Sequence, residues 1–355
     1  MAALALNPDA SVDAFARLIY GEVPPPPDSV EIERHLLPGA RAERLCLTLR
    51  CGVERFTVDA ALWLPDRPGS VPVPVILGLD FVGPAGILAD EAFPLDPHAR
   101  VHPRPDLGAA EGRLTDTLRG TAAHRWPIEL LTAQGYAVMT SCYGSWTPDD
   151  PQGWQAHGVY PLIKSQLSHP TGAISLWAWA LLRLVDVAHQ LPQTSGAPVI
   201  AVGHSRLGKA ALWAAEQDQR IAAVFANQSG CLGAAPAAHP AGETVAQLVE
   251  RFPHWAVVDP QAATGLDQQD LLALLSPRRV YLAQGAEDLW ADPAGSYQAL
   301  RCAARAWPDA TPGSWPDATP EVAFSDAALG FHQRQGGHDL LAYDWRQFLS
   351  FLRTT

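Results

Sequence analysis

Short apolar runs rich in β-branched residues alternate with long helical ones along most of this 355-residue chain, and that alternation limits its fold more than any other feature. Residues 73–81, 136–142, 198–203, 222–226 and 279–284 read as strands. Residues 124–134, 171–190, 206–216, 243–251 and 293–306 read as helices between and after them, and 343–352 as a last helix. Strands that are apolar throughout are buried on both faces, so the pattern predicts an α/β chain with a mostly parallel central sheet and helices on both faces, a three-layer sandwich. Upstream, 43–64 alternates apolar and polar residues as a hairpin near a sheet edge does. A short amphipathic helix over 12–19 and the stiff Pro24-Pro25-Pro26-Pro27 precede it. Residues 80–121 are rich in Pro, Gly and Asp with little periodicity, which predicts a long loop over the sheet of the kind that usually serves a function.

Composition removes whole classes. With 48% hydrophobic and 17% charged residues the chain is not a disordered one. A net charge of −12 argues against general nucleic-acid binding, which needs a basic face to displace counterions. The longest membrane-span candidate, 172–191, carries Arg183, Asp186 and His189, so no span is expected. Five cysteines (Cys46, Cys51, Cys142, Cys231, Cys302) without C-x-x-C spacing make zinc or a dense disulfide framework unfavourable; a single Cys46–Cys51 bridge stays open beside buried free thiols. Residues 1–16 lack the basic and apolar regions of a leader, so either the protein stays inside the cell or an export signal has been removed. Trp307-Pro-Asp-Ala-Thr-Pro312 recurs as Trp315-Pro-Asp-Ala-Thr-Pro320. One doublet makes no solenoid, and it reads as a surface loop expansion, with contact of its tryptophans to a ligand as the alternative.

The most informative segment is Pro198-Val-Ile-Ala-Val-Gly203-His204-Ser205-Arg206-Leu207-Gly208-Lys209-Ala-Ala-Leu-Trp213. An apolar strand runs into Gly-His-Ser and a helix follows at once, the context of a nucleophile elbow. Gly203 permits the tight turn, and the helix amino terminus directs N–H groups at any oxyanion. The second glycine falls one position late for G-x-S-x-G, so a helix-capping serine explains the bare motif as well. Ser205-Arg206 with Lys209 four positions after the serine is more specific.

Gly-His-Ser-Arg-Leu-Gly-Lys-Ala-Ala-Leu-Trp resembles the nucleophile segment of bacterial glucuronoyl esterases, family 15 of the carbohydrate esterases. Further blocks agree in order: Gly172-Ala-Ile-Ser-Leu-Trp-Ala-Trp179, Gly242-Glu-Thr244, Phe252-Pro-His-Trp255, Glu287-Asp-Leu-Trp-Ala-Asp-Pro293 and Gly337-His-Asp339 through Tyr343-Asp-Trp345. The resemblance runs from about Val71 to the end. It implies an α/β-hydrolase fold, with 41–355 as a single catalytic domain and 1–40 as an extension packed on it.

A serine nucleophile needs a base and a carboxylate to orient that base, and α/β-hydrolases order them Ser, acid, His. His338, in the glycine-rich Gln335-Gly-Gly-His-Asp339 ahead of the last helix, is the expected base, with His332 as its rival. His204 adjoins the serine but should point away from it, and His254 reads as structural. Asp288, in the Gly-x-x-Asp turn after the 279–284 strand, is the expected acid, with Glu287 as the alternative. Asp292, just ahead of Pro293, suits helix capping better. Some members of the family carry a catalytic glutamate earlier, at the position that is Gln228 here. A glutamine cannot compensate an imidazolium, which sharpens the case for the later acid.

The resemblance implies oxyanion assistance from the Arg206 side chain and sugar-hydroxyl contacts from Lys209, Glu243 and Trp290. Plainer readings stay open: surface ion pairs for Arg206 and Lys209, an exposed carboxylate at a helix start for Glu243, core packing for Trp290. Two segments depart from the family pattern, Val82-Gly-Pro-Ala-Gly86 and Tyr143-Gly-Ser-Trp-Thr-Pro148, and both are expected to border the pocket mouth.

The resemblance implies a monomeric serine esterase that cleaves esters of (4-O-methyl-)glucuronic acid on xylan or lignin-carbohydrate complexes. It implies no metal or organic cofactor, no nucleic-acid or membrane partner, and a secreted or periplasmic setting. Acetyl or other carbohydrate ester hydrolysis on the same triad is the second reading. A non-catalytic carbohydrate-binding relative is the third, which would have no reason to hold the Ser205, Asp288 and His338 set.

Overall fold

The five apolar runs are strands in the structure, a computed structural model that describes residues 4–354 apart from 38, 40, 67–70, 90, 239, 240 and 263. The chain divides into two compact units, residues 22–200 and residues 1–21 with 201–355.

In the 22–200 unit, β1 (Ser29–Leu37), β2 (Ala42–Cys51) and β3 (Glu54–Trp63) form an antiparallel meander. The predicted hairpin is therefore correct but has a third strand, β1, whose charged sequence hid it. Cross-strand pairs Arg34–Glu43 and Arg50–Glu31 hold β1 to β2 on an exposed surface. β3 then pairs antiparallel with β5 (Ala137–Cys142), which is parallel to β4 (Val75–Asp80). Both β4 and β5 are buried at every residue, the physical meaning of their unbroken apolar runs. The long helix Ala173–Gln190 belongs to this unit and buries Trp177 and Trp179 completely. The expected 80–121 loop is present, broken by short turns at Pro84–Ile87, Pro105–Leu107 and Asp116–Leu118. Asp80 anchors its start by accepting from the Val82 and Gly83 amides and the Trp126 indole. The Tyr143 segment departs from expectation. Tyr143 and Trp146 are fully buried and bonded to Asp149 and Ser141, so their rings are core of this unit and not the rim of a pocket.

The second unit continues β6 (Val199–His204) into the order β6, β7 (Ile221–Asn227), β8 (Arg279–Gly285), β10 (Leu329–Arg334), β9 (Ala323–Asp326). The β7–β8 and β8–β10 pairs are parallel, and β9 closes the edge antiparallel to β10. β9 and β10 were not foreseen, because Gly330, His332 and Arg334 interrupt the apolar pattern of a strand that is nonetheless almost wholly buried. The helices Arg206–Gln217, Pro293–Ala303 and Ala342–Arg353 match expectation, whereas Gln268–Leu274 escaped it. Residues 12–20 are helical in an α-turn followed by a π-turn, and buried Tyr20 places its hydroxyl 3.0 Å from the Leu232 carbonyl and from Gln268.

Two alternatives left open by the sequence fall here. Cys46 and Cys51 are free and lie on one strand, on opposite faces and about 16 Å apart at ~3.3 Å per residue, so no bridge joins them. The repeated tryptophans are packing residues. Trp307 bonds the Arg278 carbonyl, while Trp315 bonds Asp326 at 2.6 Å and packs on Tyr297 and Phe324. The Trp315→Ala variant should lose about 3–5 kcal/mol in denaturant unfolding and leave KM unchanged.

Glu216, in the last turn of the Arg206–Gln217 helix, seals its Oε1 from solvent without a partner. Burial pushes its carboxyl up to about 8, opposed by nearby Arg278. Between the ordinary value of 4.5 and about 8 the folded chain holds the extra proton, so this group's stabilisation is lost as pH rises through that window. The Glu216→Gln variant should therefore gain more in Tm at pH ~8 than at pH ~5.

Candidate active site

β6 ends at His204, and Ser205 makes the turn into the following helix with φ 58° and ψ −130°. That conformation costs a non-glycine residue roughly 1–3 kcal/mol and is held by its surroundings. The Ser205 amide donates to the Asn227 carbonyl at 2.9 Å, and the Gly208 amide returns to the Ser205 carbonyl at 2.8 Å. Gly203 is required there, since a Cβ would lie 2.0 Å from the Leu207 carbonyl oxygen. The late glycine has its own reason. A Cβ on Gly208 would meet Ser229 at 2.9 Å and the Gly203 carbonyl at 3.1 Å, so it lets the helix close onto β6 and the end of β7. The elbow is therefore complete although its second glycine is displaced. The helix it opens presents first-turn amides that lack partners within the helix.

His338 and Asp288 meet across the ends of two strands. Asp288 follows β8, and its Oδ2 lies 2.6 Å from His338 Nδ1 on the loop after β10. The carboxylate is almost buried while the imidazole is nearly half exposed, so one end of the ring is fixed and Nε2 is left for exchange. The His338 ring also lies against that of His204, with centroids 4.6 Å apart. Because His204 is the residue next to Ser205, this contact puts the imidazole at the elbow. His204 has a packing role of its own. It is buried, its Nδ1 is 2.6 Å from Asn227 Oδ1, and it floors the base.

The rival candidates sit elsewhere. His332 is fully buried between Tyr281 and Asp344, at 2.9 and 2.7 Å. Glu287 is exposed, its side chain making no contact with the imidazole, while its amide donates to the Gly336 carbonyl. Of the two neighbouring carboxylates, Asp288 is the one paired with His338. Asp292 caps the Pro293–Ala303 helix by accepting from the Gly295 amide, as expected. Gln228 does not touch the imidazole; its Nε2 donates to the Gly337 carbonyl at 3.0 Å.

Four candidates remain, Arg206 for the oxyanion and Lys209, Glu243 and Trp290 for the sugar. The Arg206 guanidinium is 5.1 Å from the Phe252 ring centroid and 4.6 Å from that of Trp255, two rings stacked at 3.8 Å. This cation–π shelf, which the sequence did not announce, gives the Phe252-Pro-His-Trp255 block its purpose. His254 is buried there, a structural residue as read. Lys209 is buried, and its Nζ donates to the Ser229 carbonyl at 2.7 Å and to the Cys231 carbonyl. It is thus neither a surface ion pair nor wholly free for a ligand, since one of its three donors remains. Burial pulls its pKa down, and nearby Glu243 partly restores it. Glu243 lies just outside its helix, which starts at Val245 with Thr244 as cap, and its amide donates to the Trp290 carbonyl at 2.9 Å. Trp290 is 50% exposed, which removes the core reading and leaves an open indole face beside Asp288. Among the described residues no group of three or more His, Cys, Asp or Glu side chains is placed to hold a metal ion.

A family model described as glucuronyl esterase, fungi, matches residues 126–310. A carbohydrate esterase from an unknown prokaryotic organism is 32% identical over 368 residues, covering 95% of this chain and 81% of that protein. The solved glucuronoyl esterase from Solibacter usitatus superposes with a TM-score of 0.83 at 30% identity, over 96% of this chain and 89% of that one. The chain belongs to the glucuronoyl esterase family. Its fold is accordingly the α/β-hydrolase type of carbohydrate esterase family 15. A promiscuous CE15 esterase from a marine bacterial metagenome is similar to this family member to the same degree, with 30% identity, a TM-score of 0.82, and coverage of 96% and 88%.

The geometry separates two neighbouring carboxylates in this glucuronoyl esterase. Asp288→Asn should lower kcat by about 10³–10⁴-fold, because the amide can hold the wrong tautomer and cannot compensate the imidazolium. Glu287→Gln should stay within about twofold, measured in the same steady-state assay.

Proposed function

We propose that this chain is a serine esterase that hydrolyses esters of (4-O-methyl-)glucuronic acid, as carried on glucuronoxylan and its lignin linkages. The observation that carries this reading is the 2.6 Å pairing of His338 with Asp288 beside the strained Ser205 turn, in a chain of this family. Ser205 Oγ attacks the uronate carbonyl while His338 Nε2 takes its proton, and Asp288 holds the imidazolium. The tetrahedral oxyanion is met by first-turn amides of the Arg206–Gln217 helix and by the Arg206 side chain. His338 returns the proton to the departing alcohol, leaving the glucuronoyl group on Ser205. Water, deprotonated by the same imidazole, then releases the uronic acid and restores the serine.

The residues around the nucleophile support a sugar acid as the acyl part. Buried Lys209 has a donor left over, Glu243 can accept from sugar hydroxyls, and the exposed Trp290 face suits a pyranose ring. The described helices include none long and apolar enough to cross a membrane. Broader ester hydrolysis on the same triad is the second reading, favoured by the promiscuity ascribed to the marine relative.

Benzyl or methyl glucuronate and p-nitrophenyl acetate, compared on the parent and on Ser205→Ala, decide between them. The parent should prefer the glucuronate, and the alanine variant should lose activity on both. Activity on acetate alone sinks the uronate reading, and an active alanine variant removes the nucleophile assignment. In Lys209→Ala, KM for the glucuronate ester should rise about tenfold with little change for acetate, the signature of lost sugar binding.

A further inference from the structure

We propose that Gln228 is a positioning residue for the base, which fixes the peptide from which His338 projects. The inference rests on the reading of His338 and Asp288 as base and acid.

The loop that carries His338 has little to hold it from within. Gly336 has φ 92°, a Cβ on Gly337 would meet nothing, and Gln335, Gly337 and His338 are exposed. Its order comes from outside: the Gln335 amide donates to Glu321 Oε1 at 2.7 Å, and three further attachments reach the residues nearer the base. The acid turn is zipped to it, with the Ala286 amide on the Arg334 carbonyl at 2.8 Å and the Glu287 amide on the Gly336 carbonyl at 3.1 Å. Arg334, buried and paired with Asp344, donates to the carbonyls of Gln335, Gly337 and Asp339 at 2.8, 3.0 and 2.6 Å. From the end of β7, Gln228 Nε2 makes the third attachment, at 3.0 Å to Gly337 O.

That oxygen is the one whose position matters. The Gly337 carbonyl and the His338 amide lie in one rigid peptide plane, so fixing the oxygen fixes the plane and the direction in which the imidazole leaves the chain. The protein accepts two local penalties to make this bond. Gln228 adopts φ 47°, which disfavours a side chain, and its Oε1 is buried without a partner. Gly285 clears the way, because a Cβ there would lie 2.3 Å from Gln228 Nε2. The task also requires an amide. A carboxylate accepts hydrogen bonds and would oppose the Gly337 oxygen, so this position favours a donor and leaves acid duty to Asp288.

The test assays parent, Gln228→Met, Gln228→Glu, Asp288→Asn and the Asp288→Asn/Gln228→Glu double variant on methyl glucuronate, with thermal unfolding in parallel. Gln228→Met keeps the length and loses the donor; its kcat should fall about 10- to 100-fold with KM within about twofold. Gln228→Glu can donate only when protonated. Its kcat relative to parent should drop as pH rises from about 5 to about 8, in surroundings whose charged groups are Arg334, His338, Glu287 and Asp288. The double variant should remain as slow as Asp288→Asn. A folded Gln228→Met with parental kcat overturns the proposal. So does a Gln228→Glu ratio that stays at parental level across this pH range, which decides the matter even if the methionine variant fails to fold. Recovery of tenfold or more in the double variant would show that position 228 faces the imidazole and overturn it as well. Parental activity in Asp288→Asn would instead overturn the triad on which the proposal stands.

Discussion

The site depends first on a backbone conformation that serine adopts only when forced. At φ 58° Ser205 turns the chain so sharply from β6 into its helix that Gly203 must pass within 2.0 Å, on a would-be Cβ, of the Leu207 carbonyl. The turn is locked from the next strand by the Asn227 carbonyl and from the helix side by Gly208 packed on Ser229. This tight corner leaves the serine half-exposed at the end of a buried strand and sets the helix amides behind it. Nothing else in the chemistry can be placed until this corner exists.

The second requirement is to bring a histidine and a carboxylate from distant parts of the chain to that corner. Parallel pairing of β8 with β10 does it, because both strands then end on the same edge of the sheet. The loops that continue them are joined by two backbone hydrogen bonds before the side chains of Asp288 and His338 meet. Below the imidazole lies His204, held by Asn227, and behind the loop stands the buried Arg334–Asp344–His332 group. His338 is thus the exposed tip of a largely buried polar network, an arrangement that favours one fixed geometry.

The substrate side follows a different logic. Charge is concentrated locally in a protein that is acidic overall. Arg206 rests on a Phe252–Trp255 stack, and Lys209 is buried against two carbonyls, where burial lowers its pKa and nearby Glu243 opposes that shift. Both side chains lie on the helix that begins at Ser205. Trp290, by contrast, spends half its surface on solvent next to the acid, an exposure that packing alone does not explain.

Elements whose physics is local were legible in the residues alone. Unbroken apolar runs marked the buried parallel strands, and Gly-His-Ser followed by a helical pattern marked the elbow, because strand burial and turn sterics are written in adjacent residues. Ordered motif blocks marked the family and pointed to Ser205, to His338 with His332 as its rival, and to the Glu287–Asp288 pair. Tertiary structure decided what depends on residues far apart in the chain. β1 and β10 were invisible because their charges are satisfied by partners on other strands and helices. The pairing of Asp288, not Glu287, with His338, the burial of His332, the aromatic shelf under Arg206 and the bond from Gln228 to Gly337 all depend on side-chain direction in three dimensions. These directions are set by partners distant in the chain, which no local pattern encodes.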